Sequence, residues 1–192
     1  TILSKQMWSK DLKMKTGTNS VILENNSAKP LYVTLTKKGV PLISDKAKEE
    51  KGLAMKIDYL DLNLKPVDQT NLKQGTDFMM LVKVSNNTFT KVDNLALTQM
   101  VPSGWEILNT RLFEAEYGIK ESTYDYRDIR DDRVNTYFSL TQGQTKTFVL
   151  ILNAAYKGEF NQPSVWCEAM YTANCYSRIP GGRVKITGGN VE

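Results

Sequence analysis

Phe78-Met-Met-Leu-Val-Lys-Val84 is the run on which the fold reading turns. It is apolar at every position but Lys83. Gln74-Gly75 precedes it and Ser85-Asn86-Asn87 follows it. A short apolar run between turn residues fits a strand covered on both faces. Working outward, Met55, Ile57 and Tyr59 alternate with Lys56, Asp58 and Leu60. Val92 to Met100 sets Leu95, Leu97 and Gln99 against Ala96 and Thr98. Val101-Pro-Ser-Gly104 stops that strand, and Trp105-Glu-Ile-Leu108 starts the next. Thr136–Leu140, Lys146–Leu152, Ser164–Met170 and Arg183–Ile186 complete the set, with turns at Gln142-Gly143, Lys157-Gly158 and Pro180-Gly-Gly182. About eight short strands at these spacings predict an all-β protein, an antiparallel β-sandwich. Asn109 to Glu121 is the one stretch that could hold a helix turn.

Upstream, Ser20-Val-Ile-Leu-Glu24 is a short apolar run. Asn25-Asn-Ser-Ala-Lys-Pro30 has turn chemistry. Leu31, Val33 and Leu35 then alternate with Tyr32, Thr34 and Thr36. The two runs predict a short N-terminal β-hairpin. Two strands do not stand alone in water, so residues 1–44 are expected to close the sheet of a preceding β domain. Residues 45–52 are charged and poor in large apolar side chains, which reads as a linker. Residues 53–192 are then the sandwich domain. The chain opens on Thr1-Ile-Leu3, without Met, as expected of a segment of a longer polypeptide.

Composition narrows the function. The 192 residues carry 25 basic and 21 acidic side chains, a net +4, with no long run of one sign. A nucleic-acid surface would gather Lys and Arg on one stripe. No apolar run approaches the roughly 18 residues that a membrane helix needs. His is absent, which removes the commonest general base, the commonest zinc ligand and every Ser-His or Cys-His nucleophile pair. Cys167 and Cys175 cannot make a tetrahedral thiolate site by themselves, and no Gly-rich phosphate loop occurs. No catalytic residue, metal, cofactor or small-molecule substrate is expected. Two rivals stay open: a cell-surface or periplasmic adhesin-like module binding carbohydrate or protein through Tyr124, Tyr126 and Tyr176, and an enzyme using the carboxylates of Asp125 and Asp128.

Tyr124-Asp-Tyr-Arg-Asp-Ile-Arg-Asp-Asp-Arg-Val134 stands apart. Its eleven residues hold four Asp, three Arg and two Tyr, with neither helical nor strand period. It reads as a salt-bridged surface loop or as a polar latch on a neighbouring surface. Tyr126, Arg127, Asp128, Arg130, Asp131, Asp132 and Arg133 are its candidate residues.

Val101-Pro-Ser-Gly-Trp-Glu-Ile107, Tyr126-Arg-Asp-Ile-Arg-Asp-Asp-Arg-Val134, Glu168-Ala-Met-Tyr171 and Gly181-Gly-Arg-Val184 together resemble the C-terminal macroglobulin-like domain of bacterial alpha-2-macroglobulins. The resemblance covers roughly Leu53 to Ile186. Pro30 to Gly39 resembles the end of the domain before it. The resemblance implies a broad-spectrum protease inhibitor, in the periplasm or on the cell surface and anchored by lipid to a bacterial membrane, that blunts host defence. Its partners would be target proteases and the thioester domain of the same polypeptide, with a cell-wall synthesis enzyme, a penicillin-binding protein, as a functional partner. Met170-Tyr171 matches the pair that the family places over the thioester. Read without the resemblance, Met170 is a core residue at a strand end and Tyr171 a half-buried edge residue. The thioester pattern is not in this chain: neither Cys167-Glu-Ala-Met170 nor Cys175-Tyr-Ser-Arg178 fits it. In the oxidising compartment so implied, Cys167 and Cys175 are candidates for a disulfide closing the Met170-Tyr171 loop; the alternative is two unpaired thiols, one buried as a small hydrophobe.

Overall fold

The computed structural model describes residues 9–13, 20–36, 47–108 and 121–188. The chain divides into two compact units, Thr1–Val40 and Pro41–Glu192. In the second unit, strand follows strand: β1 (Glu49–Lys51), β2 (Leu53–Asp61), β3 (Asn71–Lys73), β4 (Asp77–Asn86), β5 (Val92–Met100), β6 (Trp105–Ile107), β7 (Tyr126–Ile129), β8 (Arg133–Leu140), β9 (Thr145–Ala154), β10 (Gly158–Gln162), β11 (Val165–Ala169), β12 (Tyr176–Ile179) and β13 (Gly182–Thr187). No helix occurs among the described residues. The helix turn considered for Asn109 to Glu121 lies almost wholly outside them.

Three sheets form. One runs β1-β12-β11-β5-β8-β7, a second β2-β4-β9-β6, and a third β10-β13-β3. The strand ladders are antiparallel except β13 with β3. The six-stranded and four-stranded sheets face one another across a core that includes Leu53, Phe78, Met80, Val82, Leu95, Leu97, Phe138, Phe148 and Leu150. Phe138 of β8 and Phe148 of β9 meet across it, ring centroids 4.5 Å apart. Leu72, Val184 and Ile186 bring the third sheet into the same core. This is the predicted all-β sandwich.

The Phe78–Val84 run is covered on both faces, as its composition predicts. Phe78, Met80, Val82 and Val84 point into the main core. Met79 points the other way, where it is buried with Val149 and Ile151 beneath Leu60, Leu62, Leu81 and Leu108. The Ser85-Asn86-Asn87 turn is held by the buried Asn86, whose amide donates to the carbonyls of Thr90, Leu140 and Thr141. Its side-chain oxygen accepts from the Thr88 backbone N–H and hydroxyl. A buried amide with all these partners costs little to bury.

Two expectations are corrected. Glu49–Lys51, placed in the linker, is an edge strand paired antiparallel with β12. Its charges suit an edge, and Arg178 donates to Glu49 across the pair at 2.8 Å. In the first unit, residues 20–36 contain no strand. The turn is present, since Asn25 accepts from the Ser27 N–H at 3.1 Å and donates to the Lys29 carbonyl at 2.9 Å. The predicted ladder is not. Ile22 and Tyr32 are 91% and 92% exposed, so no buried face pins the register of the two runs, and a lone pair of strands is marginal in water.

Phe148 is fully buried and Phe138 is its ring partner. Phe148→Ala is expected to lower unfolding stability by about 3–5 kcal/mol through lost burial and the cavity left behind. Urea unfolding of the whole chain measures it; a loss under about 1 kcal/mol would show that the core has collapsed into the space.

Candidate functional site

β11 and β12 form a hairpin whose tip carries Met170 and Tyr171. Along β11, Val165, Cys167 and Ala169 face the core while Trp166 and Glu168 face outward. Ala169 is therefore the last inward position, and the next side chain must point away. Met170 is 46% exposed and Tyr171 79%. Neither is the core or half-buried residue of the alternative reading. Backbone bonds hold both ends of the tip. The Ala169 N–H donates to the Cys175 carbonyl at 2.9 Å, and the Met170 N–H donates to the Asn94 carbonyl at 3.0 Å.

The disulfide does not form. Cys167 and Cys175 are buried free thiols. The pairing register gives the reason. Cys167 stands opposite Ser177, and Cys175 lies level with Ala169. The two cysteines are thus diagonal neighbours on one face, about 7–8 Å apart, beyond the ~4.4–6.8 Å that a disulfide usually spans. Burial pushes both thiols above the usual range, so they are protonated and unreactive at neutral pH. Their role is packing. Gly52, at φ +71, turns the chain from β1 into β2 against Cys175; a Cβ there would stand 3.3 Å from its Sγ and 3.0 Å from the Thr88 methyl.

The charged stretch folds as β7, a tight turn and the start of β8, with the Arg130 N–H donating to the Arg133 carbonyl at 2.9 Å. Its charges separate into two kinds. Arg127 turns inward, with its side chain 6% exposed, against Glu121 at 7%. The guanidinium donates to both carboxylate oxygens, at 3.0 Å and 2.5 Å, and its Nε donates to the Thr136 hydroxyl at 3.0 Å. Glu121 also accepts from the Val149 N–H of β9 at 3.1 Å. The pair thus ties the edge of the six-stranded sheet to the four-stranded one. The Arg127 guanidinium lies 4.2 Å from the Tyr124 ring centroid.

Arg130 with Asp128 and Arg133 with Asp132 are the other kind, solvent-washed pairs between near neighbours at 2.9 Å and 2.6 Å. The Arg133 guanidinium holds the Asp132 carboxyl below its usual range. Asp131 is exposed at the turn. Tyr126 is 62% exposed and its ring lies 5.8 Å from that of Tyr137. Glu121 and Thr136 belong to the buried group and escaped the sequence reading. Nothing in the spacing links Glu121 to Arg127, since the chain between them is not a helix.

Among the described residues no group of three or more His, Cys, Asp or Glu could hold a metal ion. A cleft of about 530 Å³ lies between β2 and the turn into β13, lined by Ile57, Tyr59, Pro163, Gly181 and Arg183 among others. The Gln162 amide donates to the Tyr59 hydroxyl there. Burial pushes that hydroxyl up to about 12, too high for a base at neutral pH.

Arg127→Ala leaves Glu121 buried and unpaired, and is expected to cost about 3–5 kcal/mol in urea unfolding. Arg130→Asp and Arg133→Asp act on exposed pairs and should leave the midpoint close to that of the native chain; equal losses at all three positions would refute the division. Thiol titration makes a separate check. Without reductant, the folded chain should show no fast-reacting thiol, and two should appear on denaturation.

The comparisons agree with this architecture. The family model of the bacterial alpha-2-macroglobulin MG10 domain matches residues 52–173. An alpha-2-macroglobulin homolog of Yersinia pestis is 28% identical over 181 residues, covering 83% of this chain and 9% of its own length. The crystal structure of a Salmonella alpha-2-macroglobulin mutant superposes with a TM-score of 0.67 at 18% identity, over 78% of this chain and 10% of that one. Trypsin-activated alpha-2-macroglobulin from Escherichia coli superposes with a TM-score of 0.64 at 16% identity, over 72% of this chain and 10% of that one. The chain thus spans under a tenth of the length of the Yersinia relative. Over most of its length it belongs to the bacterial alpha-2-macroglobulin family, as that family's MG10 domain.

Proposed function

We propose that the chain is the non-catalytic C-terminal part of a bacterial alpha-2-macroglobulin-like protease inhibitor, and that its Met170–Tyr171 tip packs on a thioester domain. The observation that carries this reading is the exposure of an apolar pair on an anchored hairpin: Met170 at 46% and Tyr171 at 79%, with the ends of the tip bonded to Cys175 and Asn94. Two large apolar side chains side by side on one tip offer surface that a partner could cover. Against a partner the pair excludes water.

Exclusion of water is what a thioester needs. The bond is destroyed by hydrolysis, so it lasts only in a dry site. An aromatic ring supplies area with few rotors, and a thioether fills the irregular space beside it. The chain contributes no acid, base or nucleophile to such a site; without His it has no side chain that ordinarily titrates near pH 7. Its work is burial alone, reversed when the parent rearranges around a protease. In this reading the targets are proteases, in keeping with the trypsin-activated state of the Escherichia coli relative. The setting is the periplasm or the outer face of a bacterial cell, on a lipid anchor, and a cell-wall synthesis enzyme is a functional partner. The ladders from β11 through β5 and β8 to β7 put the Arg130–Arg133 turn at the Met100 end of β5 and the tip at its Asn94 end, so the exposed charged turn is no part of this contact.

The test uses a polypeptide that carries this chain together with a thioester domain. Tyr171→Ala should speed loss of the thioester by about tenfold or more, the equivalent of about 1.4 kcal/mol, measured as release of free thiol. Unfolding of the substituted chain should not change, because Tyr171 is outside the core. An unchanged release rate sinks the reading, and glycan or protein binding by the isolated chain through Tyr124, Tyr126 and Tyr176 would favour an adhesin-like module in its place.

A further inference from the structure

Three non-glycine residues among those described have positive φ: Leu64 at 65°, Asn94 at 54° and Asn174 at 62°. Two of the three flank the Met170–Tyr171 tip. Asn174 closes the tip just before the buried Cys175. Asn94 lies in β5, where the register with β8 shifts between Val92 and Leu95: Val92 stands opposite Leu140 and Leu95 opposite Phe138. Two residues, Asp93 and Asn94, therefore face the single Ser139, which defines a β-bulge. On its other edge β5 pairs with β11 as far as Leu95 opposite Ala169. One step beyond that pair, the Asn94 carbonyl receives the Met170 N–H at 3.0 Å.

Left-handed backbone is unfavourable for residues with a Cβ, and Asn is among the few that adopt it readily. Asn94 is exposed, so no packing of its side chain accounts for the conformation. The bulge does serve the core, because Val92 and Leu95 are three positions apart and both are buried; in a regular strand, without the bulge, one of them would face solvent. The left-handed turn at Asn94 also directs its carbonyl at the first residue of the tip. Backbone held in sparsely populated regions gathers at sites where geometry matters.

We propose that Asn94 is the positioning residue of the Met170–Tyr171 tip: its left-handed backbone aims the carbonyl that fixes the Met170 amide, and so sets the direction in which the pair leaves the sheet. The consequence for shielding rests on the function proposed above. The positioning itself belongs to this chain and is testable without a partner.

Amide exchange by NMR on the whole chain tests it. In the native chain the Met170 amide should be protected. Asn94→Val opposes the left-handed conformation and should lower that protection by about tenfold or more, while amides of β4 and β9 keep theirs. Asn94→Gly retains the conformation and should hold Met170 within about threefold of native. If Asn94→Val does not fold, Asn94→Ala carries the same comparison. Unchanged protection at Met170 overturns the proposal. So does equal loss in β4 and β9, which would make Asn94 a residue of global stability, and so does a Gly variant that loses as much as the Val variant. Loss at Met170 in a chain whose Tyr171→Ala substitution leaves a thioester undisturbed would uphold the positioning and defeat the shielding, so the two ideas fail separately.

Discussion

Strand β11 is hydrogen-bonded on both edges, to β5 on one side and β12 on the other, and this double pairing is the constraint on which the candidate site depends. A strand held on both edges cannot slip by one residue without turning its buried set outward. Val165, Cys167 and Ala169 are that set. Their burial places Met170 on the open side of the sheet and leaves Tyr171 beyond the last ladder bond. An apolar pair is thereby displayed directly at the end of a strand that is paired on both edges.

The charged stretch shows burial, not charge content, deciding what an ion pair does. Arg127 and Glu121 satisfy each other bidentately, and the remaining capacity goes to Thr136 and Val149. A buried pair with its hydrogen bonds complete acts as a two-sided peg between sheets, and removal of one half leaves a stranded charge. Arg130 and Arg133 carry the same group a few positions away, yet water screens their pairs with Asp128 and Asp132. Those charges suit a strand edge that must not recruit a stray partner.

Cysteine burial in the β11–β12 hairpin illustrates a related point. Two thiols on one face of adjacent strands are near enough to pack and not placed to bond. Order in the tip comes instead from backbone bonds and from residues that accept left-handed geometry. Gly52 adds to it from another strand, its missing side chain making room for Cys175.

Much of the sandwich was legible in the residues. The long apolar or alternating strands β2, β4, β5, β8 and β9 declare themselves because burial of one or both faces imposes a period that composition must obey. The short strands β1, β3, β7, β10 and β12 do not, since three to five residues carry too little pattern and their partners supply the reason for their existence. The same division holds at the site. Met170 and Tyr171 were singled out by the family resemblance and not by residue type, while composition alone removed His-based chemistry. Which way that pair points, which of three arginines is buried, that Glu121 is its partner, and that two cysteines stay apart were decided by tertiary structure. The physical reason is register: these outcomes depend on which residues lie across from one another between strands distant in sequence, and pairing of that kind leaves no local mark on the chain.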